Sequence, residues 1–422
     1  MNRHDSERVA GILARAGWRE TREAREADAV IFMTCCVREG AENRVYGHLG
    51  DLKTMKQENP GLVIAVGGCM AQKEGERLLE RVPHLDLVFG THQFTGIAEL
   101  LEEAGREPLS MTGLNGFELG GLPLSRRESF RAWVPITSGC NNYCSYCIVP
   151  MVRGVEKSRP RKEILAEVVG LVREGATEIN LLGQNVNSYG RDICGRPVFD
   201  ELLREMDARF PNVWLRFVTS HPRDFSDHII EAIADCDSVC EHIHLPIQAG
   251  SDRVLELMNR GYTKDYFLGR IARLRERVPG CTISTDILLA FPGETEEDFL
   301  ETLDAVERSA FDSAFTFIYS PREGTPAARL PDSLPRQVKQ ERFERLQERL
   351  RSLTLESNRR DEGRTLEVLV EGPSAKNPAV LTARTRHHKI VNFPGDPELA
   401  GRRVMVVVEK AGLWSMQGSL AG

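Results

Sequence analysis

The sequence predicts an α/β protein in three parts: an N-terminal parallel α/β sheet, a central partial (β/α)6 barrel, and a small, OB-like antiparallel β-barrel at the C-terminal end. Three observations carry this. Short continuous apolar runs alternate with polar helical stretches up to about residue 330, the pattern of parallel strands covered on both faces. Residues 336–360 then read as one long charged helix. Beyond residue 363 the runs are short, β-rich and split by Gly and Pro, as in small barrels. With 422 residues, 41% hydrophobic and 28% charged, the chain suits two or three domains with real cores. That composition excludes disorder as the main state.

The elements follow in order. Asp5-Ser6-Glu7 is expected to cap a first helix ending near Ala16. Ala29-Val30-Ile31-Phe32, Leu62-Val63-Ile64-Ala65-Val66 and Leu87-Val88-Phe89 are candidate buried strands. Cys35 and Cys69 stand just past the first two, at strand carboxyl ends, where ligands gather in open α/β sheets. Gly and Pro break any periodicity over residues 104–130, which read as a linker. Six strand candidates then begin near Trp133, Glu178, Trp214, Glu241, Thr282 and Ser313, each followed by a polar loop and a helical pattern. Six such units fit a partial barrel. Their ends carry Ser138-Gly139-Cys140, Gly183-Gln184-Asn185, Thr219-Ser220-His221 and Gln248, which read as an active-site rim. The last strands are expected over residues 366–370, 380–385, 390–393 and 404–408. The expected divisions are 1–104, a linker over 105–130, the barrel with its trailing helix over 131–355, and the small barrel over 356–422.

Charge and cysteine bound the function. Lys plus Arg number 55 against 62 Asp plus Glu, a net charge of −7. Such a chain is no bulk nucleic-acid coat, although a local basic patch still steers RNA. No apolar run is long enough to span a bilayer, and the first 27 residues are rich in Arg and Glu, unlike a secretory leader. A cytoplasmic location is expected. Ten cysteines in a reducing compartment point to metal ligation rather than disulfides.

The strongest motif is Cys140-x3-Cys144-x2-Cys147. Three thiolates on a tight loop are good iron–sulfur ligands. A structural zinc site wants four protein ligands, whereas an iron–sulfur cube held by three cysteines leaves one iron open. A zinc knuckle with a distant fourth ligand, or ordinary buried thiols, are the alternatives. Cys194, Cys236, Cys240 and Cys281 read as packed or surface thiols.

The three-cysteine run, with Tyr146 before its last member, resembles the radical S-adenosylmethionine (SAM) enzymes. The strings at 138–154 (SGCNNYCSYCIVPMVRG), 158–160 (SRP), 181–190 (LLGQNVNSYG), 244–251 (HLPIQAGS), 290–295 (AFPGET) and 319–326 (YSPREGTP) narrow the resemblance to radical-SAM methylthiotransferases of the MiaB type, which act on tRNA. The resemblance implies a [4Fe–4S] cluster on Cys140, Cys144 and Cys147 whose open iron binds SAM and cleaves it to a 5′-deoxyadenosyl radical. It sets Tyr146 against the SAM adenine and Gly183, Gln184, Asn185 and Gln248 along SAM or substrate. It also implies a second [4Fe–4S] cluster in the N-terminal domain, with Cys35 (TCCVRE, 34–39) and Cys69 (GCMAQ, 68–72) as ligands. Its third ligand belongs to a Gly-Cys-Gln-Met-Asn string, of which only Met1-Asn2 appears here. Cys36 adjoins Cys35, but neighbouring side chains point apart on an extended backbone.

The same resemblance makes the C-terminal barrel a TRAM module that grips RNA. Residues 151–162 hold Arg153, Lys157, Arg159, Arg161 and Lys162 against Glu156 alone, and the barrel adds Arg384, Arg386, His387, His388 and Lys389. Arg153, Arg159, Arg384 and Lys389 are the RNA-contact candidates. The implied substrate is the N6-isopentenylated adenosine beside the anticodon of tRNA, methylthiolated at carbon 2. An electron donor and a sulfur source are implied partners, and a monomer is expected. The rival readings are the same chemistry on threonylcarbamoyladenosine in tRNA or on a ribosomal-protein aspartate, and a degenerate, non-catalytic iron–sulfur RNA-binding protein. The reading frame upstream of the Met1 codon is expected to encode a strand and a Gly-Cys-Gln; a stop codon immediately upstream contradicts this.

Overall fold

The computed structural model describes residues 1–35, 39–114, 120–121, 123–332 and 334–421. It divides into two compact units: Met1–Glu128 with Trp133–Asn141 and Cys147–Ile164, and Ser129–Ala132 with Asn142–Tyr146 and Leu165–Gly422.

The first unit is built on a four-stranded parallel sheet in chain order: β1 (Ala29–Thr34), β2 (Val63–Gly68), β3 (Leu87–Phe89) and β4 (Leu109–Met111). All six residues of β2 are buried, as the unbroken apolar run from Leu62 to Val66 requires of a strand covered on both faces. Two expectations are corrected. The stretch read as linker contains β4, whose three residues are too few to show a period yet pair with β3 from Leu87↔Leu109. The first helix, Asn2–Arg15, has Met1 at its N-cap position and no side-chain cap. Asp5 lies within its first turn, buried, with its carboxylate committed to an ion pair with Arg153. β5 (Arg131–Pro135) leads to a short antiparallel pair, β6 (Thr137–Ser138) and β7 (Lys157–Ser158), also in this unit.

The second unit carries β8 (Glu178–Leu182), β9 (Trp214–Phe217), β10 (His242–His244), β11 (Thr282–Leu289) and β12 (Ser313–Ile318). β8 pairs with β9, and β10–β11–β12 form a second sheet, all parallel. A parallel bridge, Leu215↔Val239, joins the end of one sheet to the start of the other. Phe130, just before β5, accepts from the backbone N–H groups of Thr177 and Glu178. The six-strand parallel pattern is therefore present, with starts within two residues of those expected. The helix Arg336–Arg359 packs Leu346, Leu350 and Leu353 inward, and its Arg342 bonds Glu294 at 2.8 Å.

The chain ends in a closed five-stranded barrel of order β13-β14-β15-β17-β16: β13 (Thr365–Ser374), β14 (Asn377–Thr385), β15 (Ile390–Pro394), β16 (Arg403–Ala411) and β17 (Met416–Leu420). It is antiparallel except for β15 against β17, which run parallel. β17 was not expected, because Gln417, Gly418 and Ser419 hide its period. Val368, Val370, Leu381, Val391, Phe393, Val406 and Met416 fill the core, and Ala383 sits among them in ordinary strand pairing.

A buried polar network ties this barrel to the strand starts. Glu178 accepts from Arg131 Nε at 2.5 Å, Arg216 Nε at 2.7 Å and Asn180 at 3.0 Å. Arg131 also bonds Glu371 at 2.7 Å, and Arg216 donates to the carbonyls of Thr385 and Arg386, each at 2.8 Å. Burial alone would raise the Glu178 pKa; Arg216 and Arg131 outweigh it and lower it from the ordinary 4.5 to about 2. The stabilisation is complete above pH 4.5 and is lost as pH falls toward 2. Glu178→Gln leaves buried guanidiniums short of a counter-charge, which costs about 3–5 kcal/mol. The variant is expected to melt well below the parent at neutral pH, with the gap narrowing in acid. Equal melting temperatures at neutral pH contradict the network's role.

Candidate active site

In the first unit the sheet's carboxyl edge presents two thiols. Cys35 follows β1, and Cys69 opens the helix Cys69–Glu74 directly after β2. Gly68 makes that turn with φ +94°, and a Cβ there would meet the Thr34 carbonyl at 2.6 Å. Thr34 Oγ1 donates to Gly67 O at 2.7 Å and holds the two strand ends together. Cys69 packs against Ile148 and Val152. Cys36 lies outside the described residues.

Arg153 stands beside this edge, 5% exposed, with Nη2 2.6 Å from Asp5 Oδ2 and a hydrogen bond to the Cys69 side chain. Burial would lower its pKa, but Asp5 and then Cys69 hold it well above the usual range. Arg159 is 3% exposed, near Glu163 at 3.7 Å. Both were expected to face RNA; burial and ion pairing instead turn them into internal fastenings. Of the same basic stretch, Lys157 and Lys162 are exposed. Cys140 and Cys147 also belong to this unit. Cys140 donates its backbone N–H to Gly154 O at 3.3 Å, after a turn at Gly139 where a Cβ would lie 2.1 Å from Val155 O.

In the second unit, residues 143–146 are held from two sides. Ser145 bonds the carbonyls of Met258 (3.0 Å, backbone) and Leu257 (2.7 Å, hydroxyl), and Asn259 donates to Tyr143 O at 2.9 Å. Ala327 N–H donates to Ser145 O at 2.8 Å, and Tyr146 packs edge-on to Phe291 at 6.4 Å. This fixes Cys144, whose Sγ lies 3.3 Å from Arg260 Nη1. No spacing rule links Arg260 to a cysteine 116 residues earlier, so the sequence alone does not single it out.

The strand carboxyl ends hold the expected rim. Thr219, Gln248 and Ala290 take φ of +73°, +68° and +56°, a conformation that non-glycine residues seldom keep without a reason. Thr219 Oγ1 bonds Gly183 O at 2.7 Å, and Gln248 pairs through its backbone with β11. Asn185 Nδ2 bonds Asp224 at 2.7 Å, and Asn187 Oδ1 accepts from His221 N–H at 2.9 Å. Gln184 Oε1, Asn185 Oδ1, Asn187 Nδ2, Ser220 Oγ, His221 Nε2 and Tyr319 Oη are buried without a hydrogen-bond partner. Buried polar atoms need partners. A concentration of orphaned donors and acceptors fits a polar cofactor such as SAM. Burial, reinforced by Arg260, Arg223 and Arg191, pushes the His221 pKa down to about 2, so its imidazole is neutral.

Among the described residues no three His, Cys, Asp or Glu side chains converge on a single ion. A four-iron cube binds each thiolate through a different iron, so its ligands need not converge in that way. The donor set fits such a cluster: three thiols on one loop, one of them meeting a buried cation.

The RNA candidates of the small barrel are engaged internally. Arg384 Nε bonds Glu371 at 2.8 Å, and Lys389 Nζ bonds Asp361 at 2.8 Å and Ser357 O at 2.7 Å. Trp414, 77% exposed between β16 and β17, is the barrel's prominent aromatic surface.

Comparison with known proteins agrees with this geometry. The Radical SAM superfamily matches residues 134–306, the TRAM domain residues 359–421, and the Uncharacterized protein family UPF0004 residues 1–90. A tRNA-2-methylthio-N(6)-dimethylallyladenosine synthase of Carboxydothermus hydrogenoformans is 47% identical, over 100% of this chain and 97% of its own. The corresponding synthase of Acetivibrio thermocellus is 49% identical, over 100% of this chain and 88% of its own. The chain belongs to the tRNA-2-methylthio-N(6)-dimethylallyladenosine synthase family. Its radical-SAM membership brings a [4Fe–4S] cluster and SAM as cofactors. Among solved structures, the radical SAM methyltransferase TsrM of Kitasatospora setae shares the fold, with a TM-score of 0.52 and 16% identity over 67% of this chain and 60% of that one. The radical enzyme OxsB superposes with a TM-score of 0.51 and 11% identity, over 82% of this chain and 53% of that one.

The thiols outside the two cysteine motifs divide by burial. Burial raises the Cys236 and Cys240 pKa values to about 11 and about 12, and raises Cys281 further; Cys194 is exposed. Iodoacetamide at neutral pH is expected to alkylate Cys194 first and to reach Cys236, Cys240 and Cys281 only on unfolding. Peptide mass spectrometry checks this, and equal rates at Cys194 and Cys240 contradict it.

Proposed function

We propose that this chain is a radical-SAM tRNA methylthiotransferase that replaces the hydrogen on carbon 2 of N6-isopentenyladenosine, beside the anticodon, with a methylthio group. The observation that carries the reading is identity of 45–49% with synthases of this name over the whole chain, together with an intact Cys140/Cys144/Cys147 loop.

In this reading Cys140, Cys144 and Cys147 hold the [4Fe–4S] cluster. Tyr146, Gly183, Gln184, Asn185 and Gln248 surround SAM, and the orphaned polar atoms near β8 and β9 supply its hydrogen bonds. Cluster and SAM together bring the one-electron chemistry that removes hydrogen from an unactivated carbon, which no side-chain base can do. The protein's part is orientation and exclusion of water. The Tyr146–Phe291–Tyr319 aromatic group closes one side, with Phe291 and Tyr319 at 5.2 Å. His221 Nδ1 accepts the Arg223 backbone N–H, so the neutral ring carries its proton on Nε2 and donates from there without adding charge.

A second cluster, with Cys35 and Cys69 among its ligands, serves sulfur insertion. Arg153 lies against its Cys69 ligand. The protein works in the cytoplasm as a monomer, drawing on an electron donor and a sulfur source. Among the described residues no helix is long and apolar enough to cross a membrane. The substrate base belongs to an anticodon loop, where unstacked bases are read on aromatic faces and cationic side chains. Lys157, Lys162 and Trp414 are exposed for such contacts.

Nucleoside mass spectrometry of tRNA from a deletion strain tests this. The 2-methylthio-N6-isopentenyladenosine signal is expected to vanish and to return with the chain. Cys147→Ala should restore none of it while binding tRNA within about twofold of the parent. Loss of a signal on threonylcarbamoyladenosine or on a ribosomal protein instead, or activity in Cys147→Ala, contradicts the reading.

A further inference from the structure

Buried guanidiniums in this protein generally face carboxylates. Arg131 and Arg216 share Glu178, Arg153 meets Asp5, and Arg342 meets Glu294. Arg260 differs. It is 4% exposed, and its hydrogen bonds run to Tyr262 Oη (Nε, 3.1 Å), Pro246 O (Nη2, 3.0 Å) and Cys144 Sγ (Nη1, 3.3 Å). None of these bonds reaches a carboxylate. The Tyr262 hydroxyl is itself committed to Ile247 O at 2.7 Å. A buried cation without a counter-anion is costly. The one partner here that becomes an anion in the working protein is the Cys144 sulfur, since metal ligation takes the thiolate form.

The backbone around Arg260 is shaped for this contact. Asn259 takes φ +56°, which turns the chain out of the short helix Asp252–Leu257, and its side chain bonds Tyr143 O. Leu257 and Met258 carbonyls hold Ser145. Residues 257–260 thus grip both neighbours of Cys144 and aim a guanidinium at its sulfur.

We propose that Arg260 is a positioning residue that donates a charge-assisted hydrogen bond to the Cys144 ligand of the iron–sulfur cluster and raises the cluster's reduction potential. The inference rests on the cluster assignment made above. A four-iron core carrying three thiolates is a net anion, and reduction by one electron makes it more so. A fixed cation and a donor on a ligand sulfur stabilise the reduced state more than the oxidised one. Arg153 beside Cys69 cannot act as strongly, because Asp5 already balances its charge.

The test uses the full chain carrying Cys35→Ala and Cys69→Ala, so that one cluster remains, reconstituted anaerobically with iron and sulfide and without SAM. Iron content, circular dichroism and an EPR-monitored redox titration are read for Arg260, Arg260→Lys and Arg260→Gln. Arg260→Gln is expected to cut the ratio of reduced to oxidised cluster at least tenfold at a fixed poise, a downward shift of 59 mV or more for one electron. Arg260→Lys, which keeps the charge, should lie nearer the parent. Protein labelled with 15N-arginine should show a nitrogen hyperfine coupling to the reduced cluster that Arg260→Lys abolishes. This signal needs no uncharged variant, so it decides the matter even where Arg260→Gln does not fold. A parent that takes up no cluster overturns the cluster assignment and with it the proposal. A loaded parent with no arginine coupling, or a folded Arg260→Gln with the parent's midpoint, overturns the role of Arg260 alone.

Discussion

The Glu178 carboxylate is the interaction on which the second unit depends. It lies at the start of β8, 2% exposed, and takes hydrogen bonds from Arg131 and Arg216. Those two guanidiniums continue outward to Glu371 and to the carbonyls of Thr385 and Arg386 in the small barrel. One charge therefore sets the spacing of the first three strand starts and seats a second domain against them. Removing either sign leaves a buried charge uncompensated, so the network persists as a whole or fails as a whole. Its location matters for function. The amino ends of the strands are locked by ion pairs, and the carboxyl ends keep orphaned polar atoms and left-handed backbone.

The same division explains why the basic residues that looked suited to RNA do other work. Arg384 braces Glu371, the barrel carboxylate that Arg131 also grips, and Lys389 ties the small barrel to the end of the long helix through Ser357 and Asp361. Arg153 and Arg159 are buried in the first unit. In a chain with net charge −7, many arginines have carboxylate partners close by, and a run of basic residues in sequence does not make a basic surface. Lys157, Lys162 and Trp414 are exposed instead, and the proposed function gives surface recognition to them, the tryptophan face suiting an unstacked base.

Much of the fold was legible because its signals are local. Continuous apolar runs mark the parallel strands, so the six barrel strands begin within two residues of where periodicity puts them. The cysteine spacing is legible for the same reason, since one tight loop carries all three. What escaped is either too short or too distant. β4 has three residues and β17 contains Gly418, so neither shows a period. Asp5 resembles a helix cap by composition, but its partner Arg153 is 148 residues away. Arg260 is a lone arginine between Asn259 and Gly261, and only the folded chain brings it to Cys144. Contacts of that kind depend on topology, and no periodicity or spacing reports them.

The central claim is that the loop of Cys140, Cys144 and Cys147 and the polar strand ends form a working radical site. Anaerobic incubation of the reconstituted chain with SAM and a strong one-electron reductant tests it most directly, with 5′-deoxyadenosine as the readout. The account predicts 5′-deoxyadenosine from the parent and none from Cys144→Ala. An intact cluster absorbance with no 5′-deoxyadenosine, in a preparation that binds SAM, contradicts it.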